Sequence, residues 1–365
     1  MGGNSLGKEF VVTIFGESHG RCIGVVVDGC PAGLELSKAD VQRDMDRRIP
    51  RGSEIVSNRI EKDEVDVLSG VFQGHTTGAP IAMVVWNMDV DSRPYELLKD
   101  IPRPGHADYP AKIRYRGFND YRGGGLLSGR TTVAFVMAGA VANRLLQRAG
   151  IEVLAYSHSI GDVFSRTDLT SDEIRRNVYS NPVRCGDHQA ASSMEQAILS
   201  AANEGDSIGG TVKVIVSGVP PGIGDPVFSS LDSELSRALF SIPAVKGVEF
   251  GAGFDAARLK GSQNNDLIEV RKGEVTYLTN RAGGVLGGLS SGAEIVAHVA
   301  FKPTPSIQKT QRSVNLRSME HTELRITGRH DPCVVPKAVP VVEAMVAIVL
   351  ADFALRSKII STIFR

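Results

Sequence analysis

The sequence is poor in the residues that mark redox, secreted and metal-binding proteins. It has four cysteines in 365 residues, and no two of them form a C-x-x-C pair, so neither a zinc site nor a dithiol redox motif is indicated. So few scattered cysteines are typical of a reducing compartment. The first ten residues contain no basic region followed by an apolar run. We therefore expect no secretory signal and a cytoplasmic location.

An excess of charge of one sign is also missing. The chain has 41 Lys and Arg against 41 Asp and Glu, which gives no support for a nucleic-acid or membrane-surface partner. The most apolar stretch, residues 338–355, contains Glu343 and Asp352, so we expect a buried helix rather than a membrane span. The sequence has no G-x-G-x-x-G after a predicted strand, no P-loop Gly-Lys-Ser/Thr and no H-E-x-x-H.

Glycine is abundant, with 39 residues that punctuate apolar runs, as in a fold of short strands joined by tight turns. Segments rich in Val and Ile predict strands at 10–15, 22–28, 81–86, 151–158, 211–217 and 295–301. Helices are predicted at 37–48, 128–149, 189–203, 231–240 and 338–355. The helix at 128–149 is rich in Ala, Gly and Val and can approach its neighbours closely. We expect it and the last helix to lie in the interior, between layers.

The two halves of the chain resemble each other weakly. Residues 25–34 align with 214–223 with five identities in ten, and residues 70–85 align with 284–299 with seven in sixteen. Because both matches occur in the same order, we predict one pseudo-symmetric α/β domain over residues 1–365. Its two similar halves would span about 1–150 and 151–365, with two sheets and their helices around one core.

Five polar clusters lie in turns, at 16–20, 103–109, 120–130, 302–306 and 328–333. In the first, glycines on both sides present Ser18 and His19 at a strand end, and His can act as a general acid. The alternative is a turn with a hydrogen-bonded His. The second cluster crowds Arg103, His106 and Asp108 together, and the alternative is a surface ion pair.

The other clusters favour anions. Three glycines precede a predicted helix that carries Ser128 and Arg130 in its first turn. The glycines and the start of the helix together form a ready anion site. The alternative is that the three glycines form a flexible loop. Lys302 and Thr304 could hold a phosphate, and Asp331 beside cations could be a poised base. So many loop cations in a neutral chain favour a small polyanionic ligand over a polymer.

Eight motifs together resemble one known family, the chorismate synthases. In chain order they are GESHG, RPGHADY, DYRGGG, VKGVEFG, GSQN, GGLSSG, KPT and GRHDPC, and the match spans residues 3 to about 354. The resemblance implies an α/β fold of the α+β type, a β-α-β sandwich with central helices between antiparallel sheets. It implies a lyase of the shikimate pathway that converts 5-enolpyruvylshikimate 3-phosphate to chorismate by 1,4-elimination of phosphate, with reduced FMN.

The same resemblance implies roles for single residues. His106 would protonate or stabilise the reduced flavin, His19 would face the leaving phosphate, and Asp331 would lie near flavin N5 and help it take up the ring proton. Substrate phosphate and carboxylates would be bound by Arg48, Arg103, Arg130 and Arg329. The flavin-contacting segments match Ser128, Ala244, Gly287, Lys302, Pro303, Thr304, Pro305, Ser306 and Arg329.

The chain departs from the commoner family pattern at five positions, which are Glu54, Leu126, Leu127, Pro243 and Pro305. These departures concern the details of flavin and substrate binding. The resemblance also implies a homotetramer. No reductase-like segment is inserted, so we expect flavin reduced from outside, by a separate flavin reductase, with NADPH only an indirect source. Two alternatives stay open: an FMN oxidoreductase with net hydride transfer, and an inactive relative that only binds a phosphorylated ligand.

Overall fold

A computed structural model describes residues 3–48, 55, 63–88, 91–326 and 330–364. The strands are β1 Ser5–Leu6, β2 Val11–Gly16, β3 Cys22–Asp28, β4 Val65–Val67, β5 Val71–Phe72, β6 His75–Thr76, β7 Ile81–Trp86, β8 Glu152–Ile160, β9 Val163–Phe164, β10 Gly210–Ser217, β11 Val245–Phe250, β12 Ile268–Arg271, β13 Glu274–Tyr277, β14 Val285–Leu286, β15 Leu289–Ser290, β16 Ile295–Phe301, β17 Gln311–Asn315 and β18 Glu320–Leu324. The helices are α1 Lys38–Arg47, α2 Asp108–Arg114, α3 Thr132–Gln147, α4 Ser171–Asn177, α5 His188–Asn203, α6 Leu231–Phe240, α7 Gly261–Asn264 and α8 Val335–Arg356.

Two five-stranded antiparallel sheets carry the fold. The first has the order β1-β2-β3-β7-β4 and the second the order β11-β16-β10-β8-β9. In the first sheet Val25 pairs with Met83, and in the second Val214 pairs with Ala297. In β16 alternate residues are buried, as the period of two along a strand requires. The remaining short strands form separate hairpins.

The two sheets share one connectivity. The order β2-β3-β7-β4 in the first sheet corresponds to β8-β10-β16-β11 in the second, and in each set the strands follow one another along the chain in the same way. A helix follows the second strand of each set, α1 in one and α6 in the other, and a long helix, α3 or α8, follows the last. This correspondence supports an internal duplication of one half, which remains a proposal.

Helices α3 and α8 lie between the two sheets. They pack on each other, α3 packs on β3, and α8 packs on β8 and β10. A Cβ added at Gly139 would lie 2.3 Å from the Cβ of Ala344, so the small residue is what lets the two helix backbones come this close. The prediction of two interior helices between antiparallel layers is confirmed, and the structure is an α/β sandwich.

Helix α8 is the one helix of the described residues long and apolar enough to cross a membrane, with a mean hydropathy of 2.1 over its most apolar window. That window is buried within the protein, and helices of this kind also form the cores of soluble proteins. Its Glu343 accepts hydrogen bonds from the Ala155 N–H at 2.9 Å and from the Tyr179 hydroxyl at 2.6 Å. The expected buried core helix is therefore what the structure contains.

The predicted boundaries of the elements hold best where local sequence decides them. Strands β3, β7 and β16 and helix α6 have the predicted bounds, and α1 begins after Ser37, whose hydroxyl forms a capping box with Asp40. Helix α8 begins three residues before the predicted start, with Pro336 in its first turn. Proline suits this position because N–H groups in the first turn make no hydrogen bond within the helix. The predicted helix 128–149 begins with a separate 3₁₀ turn, Gly129–Thr131.

Candidate active site

The loop clusters singled out in the sequence meet around one cavity of about 1440 Å³. Its wall is built from both halves of the chain and from the first turns of α3 and α8. The lining includes eleven of the residues named as candidates, which are Arg48, Arg103, His106, Ser128, Arg130, Ala244, Lys302, Thr304, Pro305, Ser306 and Asp331. The antiparallel sheets and the two central helices thus bring together residues that lie far apart in the chain.

One wall of the cavity is cationic. Arg48 lies at the C-terminus of α1 and Arg130 just before α3, and both are buried. Asp63 pairs with the two of them: Arg48 Nη1 lies 3.3 Å from Asp63 Oδ2, and Arg130 Nη1 contacts Asp63 Oδ1. Arg48 Nε also donates to the Thr132 hydroxyl at 3.2 Å. Guanidinium groups pair well with phosphate and carboxylate oxygens, so this wall suits an anion.

Ser18 and His19 lie beside this wall, where β2 ends. Ser18 is fully buried and lines the cavity, and its hydroxyl has no hydrogen-bond partner among the described residues. The His19 ring lies behind the lining, with Nδ1 2.9 Å from Ser92 Oγ and its ring edge-to-face with Tyr95. The sequence analysis assigned the chemistry of this turn to His19, whereas the structure presents Ser18 to the cavity and places His19 outside the lining.

Gly123 holds the backbone of the three-glycine loop against this turn. Its φ is +58°, and a Cβ placed there would lie 2.4 Å from His19 Cδ2 and 2.7 Å from Ser18 Oγ. We expect Gly123→Ala to displace both side chains and to lower turnover on the order of 100-fold, because about 1 Å of misplacement can cost that much. The measurement is kcat beside the thermal unfolding midpoint.

Gly117→Ala is the matched control for that variant. Gly117 also has a positive φ, +80°, but a Cβ there meets nothing within 4 Å. It therefore adds a similar backbone strain without the contact, and we expect near-normal turnover. Equal activity of the two variants would show that the space at Gly123 is not required.

The opposite side of the cavity carries His106, anchored through one ring nitrogen. Its Nδ1 lies 2.7 Å from Asp108 Oδ1, while Arg103 pairs with both carboxylate oxygens of Asp108 at 2.8 Å. Burial opposes ionisation of Asp108, but hydrogen bonds from Arg103 and His106 outweigh it and hold the pKa of that carboxyl well below its usual range. A permanent carboxylate at Nδ1 favours a proton there, which leaves Nε2 for proton exchange.

Residues 302–306 form a part of the cavity wall and contact the loop that carries His106. Lys302 Nζ donates to the Gly105 carbonyl at 2.7 Å, and Arg103 Nη1 donates to Ser306 Oγ at 3.1 Å. Burial lowers the pKa of Lys302. Thr304 Oγ1 is buried and has no hydrogen-bond partner among the described residues. A buried hydroxyl on a cavity wall without a partner is a candidate ligand contact.

The structure does not bring every candidate into the wall. Gly287 lies in the turn between β14 and β15, outside the lining, and Pro303 is not part of the lining either. Arg329 and Glu54 lie outside the described residues. Leu126, Leu127, Pro243 and Pro305 do line the cavity, so these four departures from the family pattern lie at the wall itself.

Two charged residues of the site, Asp63 and Lys337, were missed by the sequence analysis, and Asp108 was placed in the cluster of Arg103 and His106 without a role of its own. Asp63 and Asp108 carry the arginine and histidine contacts described above. Lys337, in the first turn of α8, lines the cavity, and its Nζ lies 2.7 Å from both carboxylate oxygens of Asp331. Asp108 stands in the same short cluster as His106, which was a usable signal. Asp63 has no such local signal, since its partners Arg48 and Arg130 lie 15 and 67 residues away.

Comparison with known proteins decides the family. The family model for chorismate synthase matches residues 10–355. The chain belongs to the chorismate synthase family. A chorismate synthase of Korarchaeum cryptofilum is 52% identical over 98% of this chain and 99% of its own length. One of Methanosarcina barkeri is 51% identical over 99% of this chain and 98% of its own.

A solved structure agrees with the sequence relatives. The crystal structure of a chorismate synthase superposes with a TM-score of 0.76 at 30% identity, over 96% of this chain and 93% of that one. The family assignment makes this chain an enzyme, a chorismate-forming lyase of aromatic biosynthesis that acts on a phosphorylated small molecule. The resemblance of the eight motifs, stated above from the sequence, is confirmed.

Proposed function

We propose that this chain converts 5-enolpyruvylshikimate 3-phosphate into chorismate and phosphate by a 1,4-elimination, the last step of the shikimate pathway to aromatic amino acids. In that reaction the bond between ring carbon and phosphate oxygen breaks, and its electron pair leaves with the phosphate. One ring hydrogen is lost as a proton, a second ring double bond forms, and there is no net oxidation or reduction.

One observation carries this proposal. A single cavity is lined by Arg48 and Arg130, by the Ser18 hydroxyl, which has no hydrogen-bond partner in the part of the chain that the structure describes, and by the anchored His106. The leaving phosphate gains charge as the C–O bond breaks, and guanidinium groups and a hydroxyl can stabilise it there. His106 is a separate side chain that can act as the acid or base in the proton transfer.

The cavity fits a second ligand, which we propose is reduced FMN. Its volume exceeds the roughly 300–1,000 Å³ of a typical single-ligand pocket, and Thr304 offers a buried hydroxyl without a partner in the described part of the chain. Reduced FMN, when bound, supplies electron density to the substrate and recovers it. The residues we propose to hold it are Ser128, Ala244, Gly287, Lys302, Pro303, Thr304, Pro305, Ser306 and Arg329.

The side chains of this chain then have distinct tasks. Arg48, Arg130 and Arg329 bind the phosphate and carboxylates of the substrate, and Arg103 joins them while it also anchors Asp108. Ser18 contacts the leaving phosphate directly, and His19, next to it in the same turn, lies on the phosphate side of the site. His106 holds a proton at Nε2 for exchange at the cavity. Asp331, at the cavity wall, assists the removal of the proton lost from the ring.

The cellular setting follows the same family pattern. We propose a cytoplasmic homotetramer whose flavin is reduced outside the protein by a separate flavin reductase, with NADPH only the indirect source of electrons. The absence of a Rossmann glycine motif from the sequence supports a flavin reduced elsewhere.

The proposal is tested by anaerobic incubation with enolpyruvylshikimate phosphate and chemically reduced FMN, following chorismate and phosphate together. We expect equal amounts of both products, with the flavin still reduced at the end. Product formation accompanied by stoichiometric flavin oxidation would instead identify a net oxidoreductase. Tight binding of substrate without turnover would identify an inactive binding protein.

A further inference from the structure

A second, smaller cavity of about 170 Å³ lies on the other side of His106, and we call it the rear cavity. It is lined by residues of α2, by the loop that follows α2 and by Leu98 and Leu316. Among the described residues, His106, Ala107 and Leu127 line both the rear cavity and the main one. The His106 side chain is therefore part of the wall of both cavities.

The rear cavity reaches the free nitrogen of the His106 ring. Nδ1 lies 2.7 Å from Asp108 Oδ1, so the opposite edge of the ring carries Nε2. A Cβ built on Gly124 would lie 3.6 Å from Nε2 and 3.4 Å from Cε1, and Gly124 lines the rear cavity but not the main one. Because Gly124 has no side chain, this edge of the ring is left uncovered on the side of the rear cavity.

The lining of the rear cavity suits water. A single buried water needs roughly 10–15 Å³ of such space and about two to four polar partners, so the rear cavity has room for several. Two residues of its lining, Lys99 and Gly117, are exposed, so the cavity extends to the protein surface. Its polar lining residues are Asp108, Lys112, Asn119, Asp120 and Tyr121.

Asp108 is a poor carrier for a proton that travels through this cavity. Burial raises the pKa of its carboxyl, but hydrogen bonds from Arg103 and His106 outweigh burial and hold that pKa well below the usual range. The carboxylate therefore stays ionised and anchors Nδ1. A proton that leaves Nε2 on this side of the ring needs another acceptor, and water is the simplest one.

We propose that the rear cavity holds the water through which His106 Nε2 exchanges its proton with solvent while substrate and flavin fill the main cavity. In this step the N–H bond at Nε2 breaks, its electron pair stays on the nitrogen, and the proton passes to an adjacent water. The reverse step returns a proton from water to the same electron pair, so no further reactant is needed. The inference rests on the proposed role of His106 in proton transfer.

Two simpler interpretations are less consistent with the structure. A void left by imperfect packing is apolar and dry, whereas the rear cavity is lined by charged and polar groups and extends to the surface. Exchange through the main cavity serves the protein alone, but bound substrate and flavin exclude water from that side. Blocking the rear cavity separates these interpretations.

The test uses Gly124→Ala in the full chain, which places a methyl group beside Nε2 at ordinary contact distance and leaves the ring in place. ¹⁵N NMR measures how fast Nε2 of the protonated ring exchanges its hydrogen with solvent, with the signal assigned by its loss in His106→Asn. The measurement is made on the protein alone and on its complex with enolpyruvylshikimate phosphate and oxidised FMN, which does not turn over. Flavin fluorescence verifies that the complex has formed.

We expect Gly124→Ala to exchange like wild type in the protein alone, because water still reaches Nε2 through the main cavity. In the complex we expect the exchange to slow at least about tenfold, since it must then wait for a local opening of about 1.4 kcal/mol or more. Ala111→Leu fills the rear cavity from α2, where Ala111 is buried, and should slow the exchange in the same way. If Gly124→Ala does not fold, Ala111→Leu gives the same readout.

Gly117→Ala is the matched control. Its φ of +80° is close to the +84° of Gly124, and Gly117 also lines the rear cavity, but a Cβ there meets nothing within 4 Å. We expect it to leave the exchange unchanged in both states of the protein. A slowing equal to that of Gly124→Ala would assign the effect to backbone strain and overturn the inference.

Equal exchange rates in the complexes of wild type and the folded variants would also overturn the inference. So would wild-type exchange that stops when the ligands bind, because water would then reach Nε2 only through the main cavity. Full activity of His106→Asn has a different meaning: it would overturn the proposed role of His106 in proton transfer and leave the exchange result intact. The failure of one proposal is thereby distinguished from the failure of the other.

Discussion

Replacing His106 by Ala is expected to lower kcat by roughly 10²–10⁴-fold, the usual range for loss of a positioned acid or base. The side chain lines the cavity, and its Nδ1 contacts Asp108, so the variant removes the Nε2 to which we assign proton exchange. Folding should change little, because the ring is 19% exposed and Arg103 continues to neutralise Asp108 through two hydrogen bonds. Anaerobic single-turnover kinetics with reduced FMN measures the effect.

Two further variants separate proton transfer from anchoring. His106→Asn keeps an N–H that can donate to Asp108 but has no group that titrates, so it should be as slow as His106→Ala. His75→Ala removes an exposed histidine of β6 outside the cavity and should retain wild-type turnover. Full activity of His106→Ala would remove His106 from the mechanism, and full activity of His106→Asn alone would reduce its role to an anchor.

Replacing Arg48 by Ala is expected to weaken substrate binding about 10- to 150-fold, the equivalent of the roughly 1.5–3 kcal/mol of a hydrogen bond to a charged group. The guanidinium lies at the cationic wall, where we place the substrate phosphate. Its loss should raise the substrate dissociation constant more than it lowers kcat. Equilibrium binding of the substrate to the flavin-free protein and the separation of KM from kcat both measure it.

The structure also predicts that this variant folds. Asp63 keeps Arg130 as a partner, so the buried carboxylate is not left without a cation. Arg48→Lys keeps the charge but not the planar fork, and its affinity should fall between those of wild type and Arg48→Ala. Arg43→Ala is the control on the same helix, since that side chain is 60% exposed and pairs with Asp40. Unchanged substrate affinity in Arg48→Ala would place the phosphate elsewhere.

Much of the fold could be predicted because local sequence decides it. The Val- and Ile-rich segments at 22–28, 81–86 and 295–301 are strands with those bounds, since β-branched residues suit a pleated, half-buried surface. The small residues of α3 predicted its interior position, because only short side chains let it approach α8. The 3₁₀ turn before α3 could not be predicted, since three glycines with positive φ precede it and glycine constrains the backbone little.

The sequence predicted which loops form the candidate site, but not which side chains of those loops contact one another. Eleven of the named residues line one cavity, and nine of them come from the polar clusters in turns. Gly287 was named with them, and the structure places it in a turn outside the lining. Whether such a turn reaches a ligand depends on where its hairpin packs, which local sequence does not encode.

Sequence alone determined the family of this protein and the residue types that carry its chemistry, because eight motifs in one order are specific and side-chain chemistry is a property of each residue. Only the tertiary structure decided how those residues are paired. It places Asp63 between Arg48 and Arg130, and Lys337 against Asp331. The physical reason is that charge and proton affinity depend on burial and on distances of a few ångströms between groups. Those distances are set by the packing of two sheets and two helices, not by the order of residues along the chain.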